Sequence, residues 1–405
     1  MTKEYDVLIV GGGMVGAALG CALGGSQLRV AVIEAMQPQE FDVEQDFDLR
    51  VSALSVASQT IMETVGAWSG VVSRRFCPFR RMRVWESAGI TEFCSEDIKK
   101  DYLGCIVENR VIQIALLECL KTFENIDLLC PAKTNRINYS SDGSTIELED
   151  GRELSTRLLV AADGGQSRVR QLTGMGVTSW DYKQHALVIS VDTGYVQQDI
   201  TWQRFVPSGP QAFLPLPGQH ASLVWYHSAD EIRRLKALPD EQLLAELKVS
   251  FPDELGDIKA IAGRASFPLK RQHAQDYVKS GVALIGDAAH IINPLVGQGV
   301  NLGFLDAAAL AQVLIEAQSE NEDIGCQNIL MKYEKLRRNE NLVMMTTTDL
   351  FYRVFSNKLL PLQMIRNFGL GLAGRLTPAK QKIMRYAIGL EGKLPDLARG
   401  KSIVV

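Results

Sequence analysis

The stretch "GDAAHIINPLVGQGVNLG", Gly286 to Gly303, sets Asp287, His290 and Pro294 among glycines at 286, 297, 299 and 303, directly before the helical pattern "FLDAAALAQVLIEA". A loop so poor in side chains lets main-chain N–H groups approach a ligand closely. The helix that follows points its positive N-terminus at the same place. That combination suits an anion or the electron-rich edge of a ring. The same residues also serve a plain strand-to-helix turn, in which Gly and Asn supply positive φ and Asp caps a helix. Other motifs must decide between the two.

The N-terminal "YDVLIVGGGMVGAALGCALGG" reads as an apolar strand, a G-x-G-x-x-G turn at Gly11, Gly13 and Gly16, and a helix of small residues. A second strand, "RVAVIE", ends in Glu34, whose carboxylate can accept both hydroxyls of an adenosine ribose. Gly11 makes the turn, Gly13 lets backbone reach a pyrophosphate, and Gly16 permits helix and strand to pack closely. Strand, turn, helix and terminal acid together predict a dinucleotide-binding βαβ unit. Glu34 favours an unphosphorylated ribose, which FAD and NAD share.

A third motif separates those two. "RLLVAADGGQSRVRQLTG" is an apolar strand ending in Asp163 and Gly164, then Ser167 and Arg170, a D-G-x-x-S-x-x-R pattern. Lying between the N-terminal glycines and the Gly286–Asn301 loop, it resembles the FAD-dependent aromatic-ring hydroxylases. Through "IVGGGMVG", "TWQRFVPSGPQAFLPLP", "GDAAHIINPLVGQGVNLG" and "GLGLAGRL", nearly the whole chain is similar to the members of that family that act in ubiquinone biosynthesis. "VENRVIQIAL", "SLVWYHSADEIRRL" and "DLFYRVFSN" look most like the members that hydroxylate a demethoxy-quinol ring at its 3-position.

The resemblance implies an α/β fold: a Rossmann-like FAD-binding βαβ domain, an inserted antiparallel sheet as in p-hydroxybenzoate hydroxylase, and a C-terminal helical segment. It assigns the ribityl hydroxyl to Asp287 and the flavin's pyrimidine edge to Gly286, Gly297, Gln298, Gly299 and Asn301. The pyrophosphate side falls to Asp163, Gly164 and Arg170. Arg50, Asn109 and Gln113 take weaker flavin-side roles; their ordinary readings are a surface arginine and a helix cap. Pro294 is implied to sit near the reacting side of the flavin and His290 to orient the loop. The implied reaction uses NADH or NADPH and dioxygen to hydroxylate a polyprenylated quinol through a flavin C(4a)-hydroperoxide. Other proteins of the same pathway are implied partners.

Residues 181–275 change to short alternating and aromatic runs with Pro-Gly turns, which predict antiparallel strands interrupted by one or two helices. With 76–103 they form the expected substrate domain; 1–75, 104–180 and 276–340 form the FAD domain, and 341–405 a C-terminal region. Phe213, Trp225 and Tyr226 are candidates for a substrate pocket, although most aromatics on sheets pack in cores. No paired carboxylates or evident general base stand out, which suits chemistry carried by a cofactor.

In the C-terminal region, Lys358, Arg366, Arg375, Lys380, Lys382 and Arg385 alternate with apolar residues. That pattern fits a helix lying on an anionic membrane, and equally one packed on its own domain. The totals exclude other classes. A net charge of −4 gives no basis for binding nucleic acid. Seven cysteines, an odd number without a C-x-x-C pair, fit a reducing cytosol, and the five histidines show no H-E-x-x-H metal motif. Glu4 and Asp6 before the glycines argue against an export signal. The expectation is a cytoplasmic protein peripheral to the inner face of the membrane. A halogenase would show W-x-W-x-I-P, which is absent; a prenyl-chain reductase or a non-catalytic flavin scaffold remains the alternative.

Overall fold

A computed structural model describes residues 3–86, 89–252, 257–294, 297–355, 381–382, 384–386 and 388–403 of the 405. Apolar runs, "VLIV", "VAVI" and "LLVA", make the buried parts of the central strands of the first sheet. Lys3–Val10 lies between Glu153–Ala161 and Val30–Ile33, all parallel, with Ile126–Leu129 beyond one side and Val282–Leu284 beyond the other. Leu8, Ile9, Val30, Val32, Leu158 and Leu159 are fully buried, as expected for strands covered on both faces. Helices Met14–Leu23, Asn109–Leu120 and Gly299–Ser319 supply the cover.

Gly299–Ser319 is long and apolar enough to cross a membrane, yet 72% of its apolar window is buried in the protein. It is a core helix. A side chain at Gly303 would come 2.5 Å from Val15, so the bare backbone lets this helix lie directly on the glycine-rich helix.

The second sheet is mixed and holds eight strands, with Val177–Thr193 and Ile258–Ala274 running side by side for most of their 17 residues each. His220–Ser228, Gly209–Pro215 and Ile200–Val206 follow as an antiparallel meander. Arg81–Glu86 and Gly89–Cys94 complete the edge. Its outer face carries Leu187, Ile189, Phe213, Leu223 and Trp225 and is covered by helices Ala229–Ala237 and Asp240–Ser250 through Ile232, Leu235, Leu243 and Leu247. Because side chains alternate along a strand, Val188, Ser190, Leu214, Ser222 and Val224 occupy the inner face toward the first domain. A small third sheet, Val51–Ser55, Gly104–Glu108 and Cys77–Phe79, joins the two.

The C-terminal part differs from a separate region beginning at 341. One helix, Gln327–Phe355, runs through that point and buries Leu330 and Tyr333 in the main core. The chain then returns to the FAD-side domain: Met384 packs with Cys77 and Phe79, and Leu397 and Ala398 join the main core. Most of the basic residues suspected of touching a membrane, Lys358, Arg366, Arg375 and Lys380, lie outside the described residues.

Candidate functional site

At the N-terminal turn, Gly11 has φ +104°, and a Cβ there would collide with the Ala162 carbonyl; one at Gly16 would collide with the Gly11 carbonyl. Gly13 faces open space, with nothing within 4 Å of a would-be Cβ. Two of the glycines are thus required by packing, and the third leaves room beside the helix N-terminus. Glu34 follows its strand directly and is half-buried; its Oε1 accepts from Met36 N at 3.0 Å. Gln113 donates to the Gly12 carbonyl at 3.0 Å and so supports the turn from the neighbouring helix. Asn109 accepts from Ser52 Oγ at 2.7 Å, and its N–H bonds to the Arg50 carbonyl at 2.9 Å.

The second motif lies against the first. Asp163 Oδ2 accepts from Arg168 N at 2.8 Å and Val169 N at 3.3 Å, while its Oδ1 is buried without a partner. A buried acceptor left open in this way fits a ligand donor such as a ribose or ribityl hydroxyl. Gly164, at φ +81°, makes the turn after it. Arg170 is buried and donates to the carbonyls of Ala288 at 2.7 Å and Gly165 at 2.9 Å. The guanidinium is a strut between the second and third motifs, and burial lowers its pKa.

The third motif begins at Gly286, φ +58°. Asp287 is exposed at the surface of the loop but crowded by the surrounding protein. That crowding raises its carboxyl above the ordinary range, against the opposing pull of His290 and Arg50. His290 is fully buried, and its Nε2 lies 2.5 Å from Asp306 Oδ2. Pro294 is exposed, and its carbonyl accepts from Gly297 N at 3.0 Å. Gly297, at φ +63°, and Gln298, the N-cap residue, lead into the helix at Gly299. The Asn301 amide makes four bonds within the protein, to Ser55 N, Ser58 Oγ, the Ala53 carbonyl and the Gly297 carbonyl. Its role is to hold the loop against the strand Val51–Ser55.

Between segment 46–50 and the strand Ile258–Ala274 of the second sheet lies a cleft of about 430 Å³, lined by Asp46, Phe47, Asp48, Leu49, Arg50, Ala262 and Gly263. Arg50 is exposed at one side of it. The segment 45–50 is held by residues that sequence reasoning missed. Arg75 forks onto Glu108 at 2.6 and 3.0 Å, donates to the carbonyls of Gln45 and Asp46, and stacks 4.0 Å from the centre of Phe47. Glu108 also accepts from Asp48 N at 2.8 Å, and Arg110 forks onto the Asp48 carboxylate.

The expectation for Phe213 and Trp225 is corrected. Both point to the outer face of the sheet, where Trp202 stacks on Phe213 at 5.7 Å and Phe251 meets Trp225 edge-on at 5.5 Å. Tyr226 is on the inner face but buried among Ala186, Phe205, Leu269 and Tyr352 rather than along the cleft.

This arrangement defines a flavin-dependent monooxygenase of the p-hydroxybenzoate hydroxylase type. A family model described as an FAD binding domain matches residues 132–346. Among solved structures, the fold matches p-nitrophenol 4-monooxygenase from Pseudomonas putida with TM-score 0.78 and 18% identity, covering 96% of this chain and 99% of that one. It also matches a probable FAD-dependent monooxygenase from Pseudomonas aeruginosa with TM-score 0.77 and 23% identity, covering 91% and 99%. The sequence is 42% identical to the 3-demethoxyubiquinol 3-hydroxylase of Escherichia coli, over 96% of this chain and all of that protein. It is 37% identical to a ubiquinone hydroxylase of Rhodospirillum rubrum, over 98% and 93%. With the human mitochondrial ubiquinone biosynthesis monooxygenase it shares 34%, over 95% and 92%. The chain belongs to the FAD-dependent hydroxylase family of ubiquinone biosynthesis.

The residues fit the cofactor. Open space at Gly13, the orphaned Asp163 Oδ1 and the exposed Asp287 mark three places where FAD would be held. When bound, FAD supplies the electron chemistry that activates dioxygen. The protein contributes fixed backbone donors at the start of helix Gly299–Ser319, which cost no reorganisation when negative charge develops nearby.

Proposed function

We propose that this protein hydroxylates the ring of a polyprenylated quinol in ubiquinone biosynthesis, at the 3-position of a 3-demethoxyubiquinol, with NADH or NADPH and dioxygen as co-substrates. The observation that carries the reading is the 42% identity with the Escherichia coli 3-demethoxyubiquinol 3-hydroxylase along that protein's whole length. The cleft accords with it. Phe47, Leu49 and Ala262 offer apolar surface for a ring along it. For a substrate with a prenyl tail, this reading puts the enzyme at the inner face of a membrane, with other enzymes of the pathway as partners. Hydroxylation at another ring position is the second reading, favoured by the 37% identity with a ubiquinone hydroxylase.

The test is turnover of a short-chain demethoxy-quinol analogue with NADH or NADPH, following oxygen uptake and the position of the new hydroxyl. A 3-hydroxylated product in step with oxygen consumed supports the reading. Product at another carbon selects the second reading. Hydrogen peroxide alone means that the substrate is wrong, and no oxygen uptake overturns the monooxygenase.

A further inference from the structure

Five histidines are present, and the fold gives them different circumstances. His290 is buried against Asp306, and His273 is partly buried against Tyr277. His185 and His227 face each other across two strands in the rows that continue the outer face of the second sheet. His290 also has a carboxylate partner and a second ring nitrogen without one, but it is fully buried, whereas His220 combines such a pair with an exposed side chain. Its Nδ1 lies 2.7 Å from Asp192 Oδ1, the side chains are 41% and 42% exposed, and Nε2 makes no hydrogen bond among the described residues.

The position of this pair is set by strand register. Asp192 and His220 are directly opposed on neighbouring strands, and their parity puts them on the inner face with Ser190 and Ser222. Ser190 in turn pairs with Gly263, which lines the cleft. Between Ser190 and Val191 the register shifts by one residue, so Ala262 bulges into the cleft wall beside Asp192. From the other side, the His220 ring meets Phe47, another lining residue, at 4.9 Å. The pair therefore borders the cleft on two sides.

We infer that His220, oriented by Asp192, accepts the proton of a ring hydroxyl of the substrate. This rests on the reading of a quinol as substrate. A carboxylate on Nδ1 fixes the tautomer that leaves Nε2 as the basic nitrogen, and it balances the charge when the ring becomes imidazolium. In the step, the substrate O–H bond breaks, an N–H bond forms at Nε2, and the electron pair stays on the ring oxygen. That pair raises electron density at the ring carbons ortho and para to it, where the new oxygen must attach. The imidazolium returns the proton to a ring oxygen of the product, so the side chain ends as it began.

The experiment compares wild type, His220→Gln, His220→Gly and Asp192→Asn, each purified with its flavin, using a short-chain demethoxy-quinol analogue. Hydroxylated product per flavin is expected to fall about 100-fold in His220→Gln, the usual worth of a general base. Added imidazole is expected to restore a substantial part of the loss in His220→Gly and none in His220→Gln, whose side chain fills the site. Asp192→Asn is expected to lose about tenfold, less than the base itself because it acts only through the imidazole. Rates within threefold of wild type in both His220 variants would overturn the inference. So would flavin loss in every variant, or absence of imidazole rescue, since each marks the pair as structural. Failure of wild type to hydroxylate the quinol would instead remove the substrate reading, and this inference with it.

Discussion

Asp306 Oδ2 lies 2.5 Å from His290 Nε2 and 3.2 Å from Gly286 N, while Oδ1 accepts from Arg337 Nε at 3.0 Å and Asn341 Nδ2 at 2.9 Å. One carboxylate thus ties both ends of the Gly286–His290 turn to the helix Gln327–Phe355. Burial pushes its pKa up, but the positive partners and hydrogen bonds outweigh this and hold it below the ordinary value. Asp306→Ala leaves His290 and Arg337 buried without their anion, a loss of about 3–5 kcal/mol. Urea unfolding should show that loss, and flavin content after gel filtration should fall because the turn is released. A variant with wild-type stability and full flavin would refute the assignment.

His273 governs a separate pH dependence. Burial, with His290, Arg338 and Arg271 nearby, pushes its pKa down to about 4 from 6.5, although Asp306 opposes the shift. Between pH 6.5 and 4 the unfolded chain holds a proton that the folded chain refuses. Stability therefore falls as pH drops through that window, by at most about 3 kcal/mol and less after solvent screening of the half-buried ring. In His273→Gln the urea midpoint should lose this part of its slope while keeping any acid limb below pH 4 due to carboxylates. An unchanged slope would show that His273 is not its source.

The glycine motifs were legible because each is a local requirement: a positive φ at Gly11, Gly164, Gly286 or Gly297, or a backbone approach at Gly16, acts within a few residues. The long-range pairs were not. Arg75 and Glu108 are 33 residues apart, and Asp306 and Arg337 are 31 apart, with no periodicity joining them. Phe213 and Trp225 show a different limit. Alternation says that neighbouring residues take opposite faces, but only the packing of Ala229–Ala237 and Asp240–Ser250 decides which face is outward. His220 and Asp192 were silent for the same reason: 28 residues separate them, and only register brings them together.

Face assignment gives a mutational contrast. Phe213 is fully buried on the outer face, so Phe213→Ala should cost about 3–5 kcal/mol of stability. Its KM for the quinol analogue should remain within twofold of wild type. Leu214, one residue on, packs on the inner side with Val51, Ala53 and Leu216. Leu214→Trp should raise KM or the peroxide released per turnover while flavin remains bound. The reverse pattern in steady-state kinetics and chemical unfolding would mean that the faces have been exchanged.

Asp287 gives a direct test of the flavin loop. The residue is exposed, and the crowding that raises its pKa is the environment expected of an acceptor awaiting a hydroxyl. Asp287→Ala removes that acceptor and should weaken FAD binding by about 10- to 100-fold, from 1–3 kcal/mol for an unmet buried donor. Asp287→Asn, which keeps one acceptor oxygen, should lie between. Fluorescence titration of the apoprotein with FAD reads both; equal affinity in all three proteins would place the flavin elsewhere.

Arg75 tests whether the wall of the cleft must be rigid. Its guanidinium makes two bonds to Glu108, two to the carbonyls of residues 45 and 46, and a stacked contact with Phe47. A lysine keeps the charge but cannot reproduce the planar fork. Arg75→Lys should therefore cost about 2 kcal/mol through lost charge-assisted hydrogen bonds and leave segment 45–50 less well held. Since Phe47 and Arg50 line the cleft, the sharper consequence is functional: a loosened wall admits water to the reacting face. Flavin should stay bound, NADH or NADPH oxidation should continue, and several times more hydrogen peroxide should appear per hydroxylated product. If stability falls and that ratio does not move, the Arg75–Glu108 clamp serves the fold alone.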